Sequence, residues 1–128
     1  MECQKILLSI HPEYVKKIIS GEKKWEFRKV LPKGRFDTIV IYSTYPVRKI
    51  IGEVECTGIF MGTPKKVWEE TKYDRGIEKD KYFSYYRDIR EAVAFRLGKV
   101  TVYETPKTLE ELGLSNAPQS FVYLKWGV

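Results

Sequence analysis

Hydrophobic and polar positions alternate along this chain with two different periods, and the changes of period mark out its elements. From Gln4 to Ile10 the run Ile6-Leu7-Leu8 with Ile10 predicts a strand buried on both faces. His11-Pro12 breaks that run, and Pro12 fits the first helical position, where its missing N–H leaves nothing unpaired. Tyr14, Val15, Ile18 and Ile19 follow at helical spacing with Lys16 and Lys17 outward, and Gly21 supplies a left-handed end. The spacing therefore predicts a helix over 12–20. Lys24 to Lys29 then switches to strict alternation: Trp25 and Phe27 point one way, Lys24, Glu26 and Arg28 the other, as in a half-buried strand.

Further along, Thr38–Thr44 and Lys49–Ile59 read as strands separated by Tyr45-Pro46, with Gly52 and Gly58 as bulge positions in the second. Thr63-Pro64 opens a helix anchored by Val67 and Trp68, with Glu69-Glu70 outside. A second short helix fits Lys79–Arg87, and a long bent strand fits 91–104. Thr108 and Glu111 stand at capping-box spacing for one helical turn closed by Gly113, and Ser120–Lys125 makes a last strand. Six strands with helices inserted at two places predict an α+β chain, a small mixed or mostly antiparallel β-barrel with short peripheral helices, rather than a doubly wound sheet. No internal repeat is visible, and residues 1–128 are expected to form one domain.

Composition narrows the class. With 128 residues and 43% hydrophobic positions the chain can bury a core without staples. Its longest apolar run, Ile39-Val40-Ile41-Tyr42, is too short to span a bilayer, and the start lacks a signal-peptide pattern, so a soluble cytoplasmic protein with no membrane partner is expected. Cys3 and Cys56 then read as buried reduced thiols, and with one histidine no usual metal set can form; no metal and no cofactor are expected. The net charge of +6 lies wholly in residues 1–50, which hold eleven Lys or Arg against five Asp or Glu, while 51–128 hold twelve of each. A positive footprint able to attract phosphate is thus expected in the first two fifths of the chain.

Leu8-Ser9-Ile10-His11-Pro12-Glu13-Tyr14, continued by Ile18-Ile19-Ser20-Gly21-Glu22-Lys23-Lys24-Trp25-Glu26-Phe27-Arg28, resembles the ASCH domains, a branch of the PUA-like β-barrel superfamily. The stretch Ile41 to Val47, the triplet Ile51-Gly52-Glu53 and the ending Ala117-Pro118-Gln119-Ser120-Phe121 extend the likeness over nearly the whole chain. Its most specific piece is Gly-x-Lys-x-x-x-x-Arg at Gly21, Lys23 and Arg28. The resemblance implies a barrel with a cleft beside the helix-to-strand junction, where members bind RNA or modified nucleosides. One branch deacylates N4-acetylcytidine with a lysine, a threonine and a glutamate. That lysine falls on Lys23 and the arginine on Arg28, but the threonine falls on Glu26, which removes the basis for carrying that chemistry over. The branch's glutamate falls near Glu69 or Glu70.

The leading expectation is an RNA- or nucleotide-binding domain, with a regulatory role in transcription, translation or RNA metabolism. Lys23, Lys24, Arg28 and Lys29 would contact phosphate, Glu26 would select a base, and Ser43 with Thr44 would donate hydrogen bonds into a basic cleft. The alternative is an enzyme in the same cleft, a nucleoside amidohydrolase or a ribonuclease, in which Lys23 and Glu26 carry the catalysis and Arg28 anchors the substrate. A third reading is a protein-interaction module built on Trp68 to Arg87. Within it Tyr82, Phe83, Tyr85 and Tyr86 either stack RNA bases or, as preferred for Phe83 and Tyr86, pack a helix onto the sheet.

Overall fold

The computed structural model describes residues 4–124. Strand β1 (Gln4–Ile10) is followed by α1 (Pro12–Ser20), β2 (Trp25–Arg28), β3 (Phe36–Ser43) and β4 (Lys49–Gly62). Next come α2 (Pro64–Glu70), α3 (Lys79–Tyr85), β5 (Ala92–Lys107), a 3-10 turn (Glu110–Leu112) and β6 (Phe121–Leu124). Helix α1 spans the residues its spacing predicts, with Val15 and Ile18 buried, Pro12 in the first turn and Gly21 at φ 87° ending it. Thr63 caps α2 by accepting from the Lys66 N–H at 3.2 Å, and Thr108 accepts from the Glu111 N–H at 3.2 Å. The long strands run past their predicted ends, to Gly62 and Lys107, because β4 and β5 pair with each other as far as Gly62↔Ala92 and Ile50↔Lys107.

All six strands join one mixed sheet in the order β2-β5-β4-β3-β1-β6. Only β1 and β3 run parallel; the other neighbours are antiparallel. The expected barrel is corrected here: the order has two ends, β2 and β6, and no ladder joins them among the described residues. The sheet nevertheless curls far enough to bring its ends together, since Arg28 on β2 donates from Nη2 to the Ser9 carbonyl of β1 at 2.8 Å across three intervening strands. β6 pairs β1 only over Lys5–Leu8, so Ser9 and Ile10 face an open seam.

Three apolar clusters hold this shape. Ile6, Leu8, Ile39, Ile41, Val54, Val93 and Phe95 fill one face together with Val15 and Ile18 of α1. Leu7, Val40, Tyr42, Ile50 and Leu124 pack on the other face beneath Leu109, Leu112 and Leu114, so β1 is buried on both sides as its sequence predicts. In the third cluster Trp25, Phe27, Ala92 and Ala94 pack against Val67, Tyr82 and Tyr86 of the α2–α3 segment. Register shifts in the β4–β5 ladder flank Gly52 and Gly58. Cys3 lies outside the described residues, and Cys56 is half-buried rather than fully enclosed. No described helix is long and apolar enough to cross a membrane.

Candidate functional site

The open seam encloses a cavity of about 570 Å³. Its walls come from the end of β1 (Ser9, Ile10), the start of α1 (His11, Tyr14), β2 with its lead-in (Lys23, Glu26, Phe27, Arg28), α3 (Lys81, Tyr85) and the approach to β6 (Ala117, Pro118, Gln119), with Thr44 and Ile77 completing it. Strand pairing explains why Glu26 and Arg28 look inward. Glu26 sits opposite Phe95 and Arg28 opposite Val93, both of which belong to the main core. Trp25 and Phe27 take the other face, against α2 and α3. Both faces of β2 are therefore covered, and the polar face is the floor of the cavity rather than solvent-facing.

On that floor three charged groups form one buried set. The Arg28 guanidinium reaches Glu26 Oε2 from Nε at 2.9 Å and from Nη2 at 2.8 Å. Lys23 Nζ lies 3.9 Å from Glu26 Oε1 and donates to the Arg75 carbonyl at 2.9 Å. Lys23 is 3% exposed and Glu26 7%. A buried carboxylate between two cations is the arrangement that offsets desolvation, which would otherwise cost several kcal/mol per ion. The Lys23 ammonium also stands 5.3 Å from the Tyr14 ring centroid and 5.0 Å from that of Phe27, within cation–π range. Burial lowers the Lys23 pKa below the usual lysine range; Glu26 opposes that shift, and Arg28 and Lys17 add to it.

Lys23 is held there by the segment between α2 and α3. Gly76, at φ 68°, lays its backbone on the Lys23 stem so closely that a Cβ at that position would collide with Lys23 Cβ and Cγ. The Lys24 N–H donates to the Asp74 carbonyl at 2.7 Å, and the Lys23 N–H donates back to Lys17 O at 3.0 Å. Arg75 anchors the segment by laying its guanidinium 3.6 Å from the Trp68 ring centroid.

The structure thus brings together Lys23, Glu26 and Arg28, and it separates the other expected site residues from them. Lys24 is exposed and lines a smaller cavity of about 350 Å³ with Trp25, Glu69, Glu70, Tyr73 and Arg96. Glu69 and Glu70 accordingly lie away from the Lys23 set. Lys29 is exposed and sets its ammonium 4.4 Å from the Tyr85 ring centroid, outside the cavity lining. Ser43 is 2% exposed in the core, and its neighbour Thr44 reaches the cavity instead. Of the basic residues in the first fifty positions only Lys23 and Arg28 line the cavity, so the charge excess is spread over the surface. Tyr82 and Tyr86 are core residues, at 0% and 3% exposure, whereas Tyr85 lines the cavity. Sequence reasoning missed Tyr14, Lys81 and Gln119 as wall residues; nothing in local periodicity reports which loops a curled sheet brings together. Among the described residues, no three His, Cys, Asp or Glu side chains gather to hold a metal ion.

Comparison with known proteins follows the same outline. The profile of the ASCH domain matches residues 8–113. An ASCH domain-containing ribonuclease of Zymomonas mobilis is 32% identical over 92 residues, 71% of this chain and 62% of that protein. The solved structure of an ASCH protein from Zymomonas mobilis superposes with a TM-score of 0.85 at 28% identity, over 94% of this chain and 87% of that one. The ATP synthase subunit alpha of Ureaplasma parvum is 30% identical over 126 residues, 98% of this chain but 16% of that protein. In the large ribosomal subunit protein uL22 of the same species the match is 28% over 121 residues, 94% of this chain and 39% of that protein. This chain therefore spans less than two thirds of each of these curated relatives.

Proposed function

Because the chain belongs to the ASCH domain family, we propose that it works on RNA, taking one nucleotide of the strand into the cavity floored by Lys23, Glu26 and Arg28. The observation that carries this reading is a buried ion set exposed only to an otherwise largely apolar cavity of nucleoside size. Fixed charges at such a floor cost desolvation, and a ligand that hydrogen-bonds them recovers part of that cost. Glu26 accepts from an amino or ring N–H of the base. The described contacts of Arg28 use Nε and Nη2, which leaves the Nη1 donors for a carbonyl or phosphate oxygen. Tyr14 and Tyr85 supply apolar walls against which a base packs. Two relatives with unrelated names each carry a segment like nearly all of this chain. That supports a single domain over 1–128, used in more than one protein.

Titration with single-stranded RNA and with the four nucleoside monophosphates at low salt tests this. Binding should weaken with added salt, and Arg28→Ala should reduce affinity about tenfold or more, the scale of one charge-assisted contact. No binding to any RNA or nucleotide at low salt rejects the reading.

A second reading is favoured by the lowered Lys23 pKa together with the ribonuclease name of the Zymomonas mobilis relative. Here neutral Lys23 takes the proton of a ribose 2′-hydroxyl as its oxygen attacks the adjacent phosphorus. Arg28 balances the charge, the P–O5′ bond breaks, and the leaving oxygen takes up a proton from water. Activity then rises with pH through the lowered Lys23 pKa, vanishes on 2′-deoxy substrate and is lost in Lys23→Ala. Cleavage that survives Lys23→Ala sinks this version, and incubation with N4-acetylcytidine tests the amidohydrolase alternative alongside.

A further inference from the structure

Just outside the cavity, the turn between β3 and β4 carries an aromatic ring and a cation that the site so far does not use. Thr44 lines the cavity, and Tyr45 is the next residue, about 3.8 Å away between Cα atoms. Tyr45 is 72% exposed, and the Arg48 guanidinium stands 5.1 Å from its ring centroid. One face of the ring is thus met by a cation, and the exposure of the side chain leaves the other for a ligand. The turn is fixed from both ends. The Val47 and Arg48 N–H groups both donate to Thr44 O, at 3.0 and 3.4 Å, and the Thr44 N–H donates to Ile10 O at 3.0 Å. Thr44 Oγ1 lies 3.5 Å from His11 Nδ1, another wall residue of the cavity. Arg48 takes a left-handed backbone, φ 51°, an uncommon conformation for a side-chain-bearing residue, and in it the guanidinium lies against the tyrosine. An isolated exposed tyrosine on a surface needs no explanation, but one on a hydrogen-bonded turn next to a wall residue of the cavity, with its own cation, is a stacking platform with a charge attached.

We propose that Tyr45 and Arg48 form a second nucleotide subsite, where the base adjoining the one in the cavity stacks on Tyr45 and the phosphate between them meets Arg48. The ligand class is then single-stranded RNA of at least two nucleotides rather than a free nucleoside, an assignment that rests on the cavity holding the first nucleotide. Stacking tolerates any base, because every base has a π face, so this subsite adds affinity with little sequence preference, and selectivity stays with Glu26 and the cavity. Duplex RNA is excluded from it, since its bases offer no free face.

A length series separates the two subsites. Cytidine and adenosine 5′-monophosphates and the corresponding di-, tri- and tetranucleotides are titrated against wild type, Tyr45→Ala, Tyr45→Phe and Arg48→Ala by calorimetry. Wild type should gain about tenfold or more in affinity from mono- to dinucleotide, the scale of one base stacked on an aromatic side chain. Tyr45→Ala should lose that gain while keeping mononucleotide affinity, and Tyr45→Phe should keep both. Arg48→Ala should lower the salt dependence of dinucleotide binding by about 0.7 in logarithmic slope, the value for one phosphate contact on a single strand. Mononucleotide binding with no gain on lengthening, or a Tyr45→Ala variant that weakens mono- and dinucleotide equally, overturns the second subsite and leaves the cavity reading standing. Failure of every ligand to bind overturns both.

Discussion

Arg28 stands where the curled sheet fails to close, and replacing it should reveal how much of the fold depends on one side chain. In Arg28→Met the side-chain volume is largely kept, while the contacts to Glu26 at 2.8 and 2.9 Å and to the Ser9 carbonyl at 2.8 Å all disappear. Removing one partner of a fully buried ion pair costs about 3–5 kcal/mol, because the remaining charge is stranded. Two features bring the expected cost below that range. Lys23 still lies 3.9 Å from the Glu26 carboxylate, and the Arg28 side chain is 14% exposed, so water reaches the orphaned groups through the cavity. A loss of about 2–3 kcal/mol results, including roughly 1 kcal/mol for the Ser9 hydrogen bond. Urea unfolding followed by tryptophan fluorescence measures it, with a fall in Tm of about 3–6 °C per kcal/mol as a cross-check. The double variant Glu26→Gln/Arg28→Met should be less destabilised than the two single variants added together, by about 1 kcal/mol or more, because removing both partners leaves neither charge of the pair stranded. An Arg28→Met protein within about 0.5 kcal/mol of wild type would refute the claim that this side chain holds the seam.

Gly76→Ala places a methyl into the Lys23 stem at a left-handed backbone position; it should cost about 1–3 kcal/mol and disturb Lys23, seen as a weaker response of ligand binding to Lys23→Ala in that background. Thr63→Ala removes the oxygen that accepts the Lys66 N–H and should cost about 1 kcal/mol by thermal or urea unfolding, with unfolding that leaves stability unchanged counting against the cap. Tyr82 is fully buried, and burial pushes its pKa up to about 12 from 10.0. Its neutral form is favoured in the folded state while the unfolded chain ionises from pH 10, so stability should fall as pH rises from 10 through 12. Tyrosinate absorbance that develops fully before the circular dichroism changes would contradict that sheltering.

Most of the element order could be read from the sequence because the periods that specify it are local. Helix α1 needs only Pro12, Gly21 and the Val15–Ile18 spacing, and the caps at Thr63 and Thr108 depend on residues three positions away. The site was legible only in part. Alternation in Trp25-Glu26-Phe27-Arg28 correctly divides the strand into two faces, yet it says nothing of what covers each face. The curl of the sheet buries the polar face, and the α2–α3 segment buries the aromatic one. Adjacent lysines illustrate the same limit. Lys23 and Lys24 are equivalent in sequence, but Gly76 presses on the first and leaves the second outside, a contact between positions more than fifty residues apart. The barrel expectation failed for a related reason, since strand number is written locally whereas closure depends on how far the whole sheet curls.

The segment from Thr63 to Glu91 departs and returns at a pair of residues that already face each other in the sheet, Gly62 and Ala92. The entropy of joining its ends is met by the β4–β5 ladder, so its length can change at little entropic cost to the sheet. This same segment supplies the Arg75 carbonyl, the Gly76 backbone and the Lys81 and Tyr85 walls. The part that grips Lys23 and walls one side of the cavity is therefore an insertion whose two ends the sheet already holds together. Grafting this insertion from one relative onto the sheet of another should transfer ligand preference while leaving the floor of Glu26 and Arg28 unaltered.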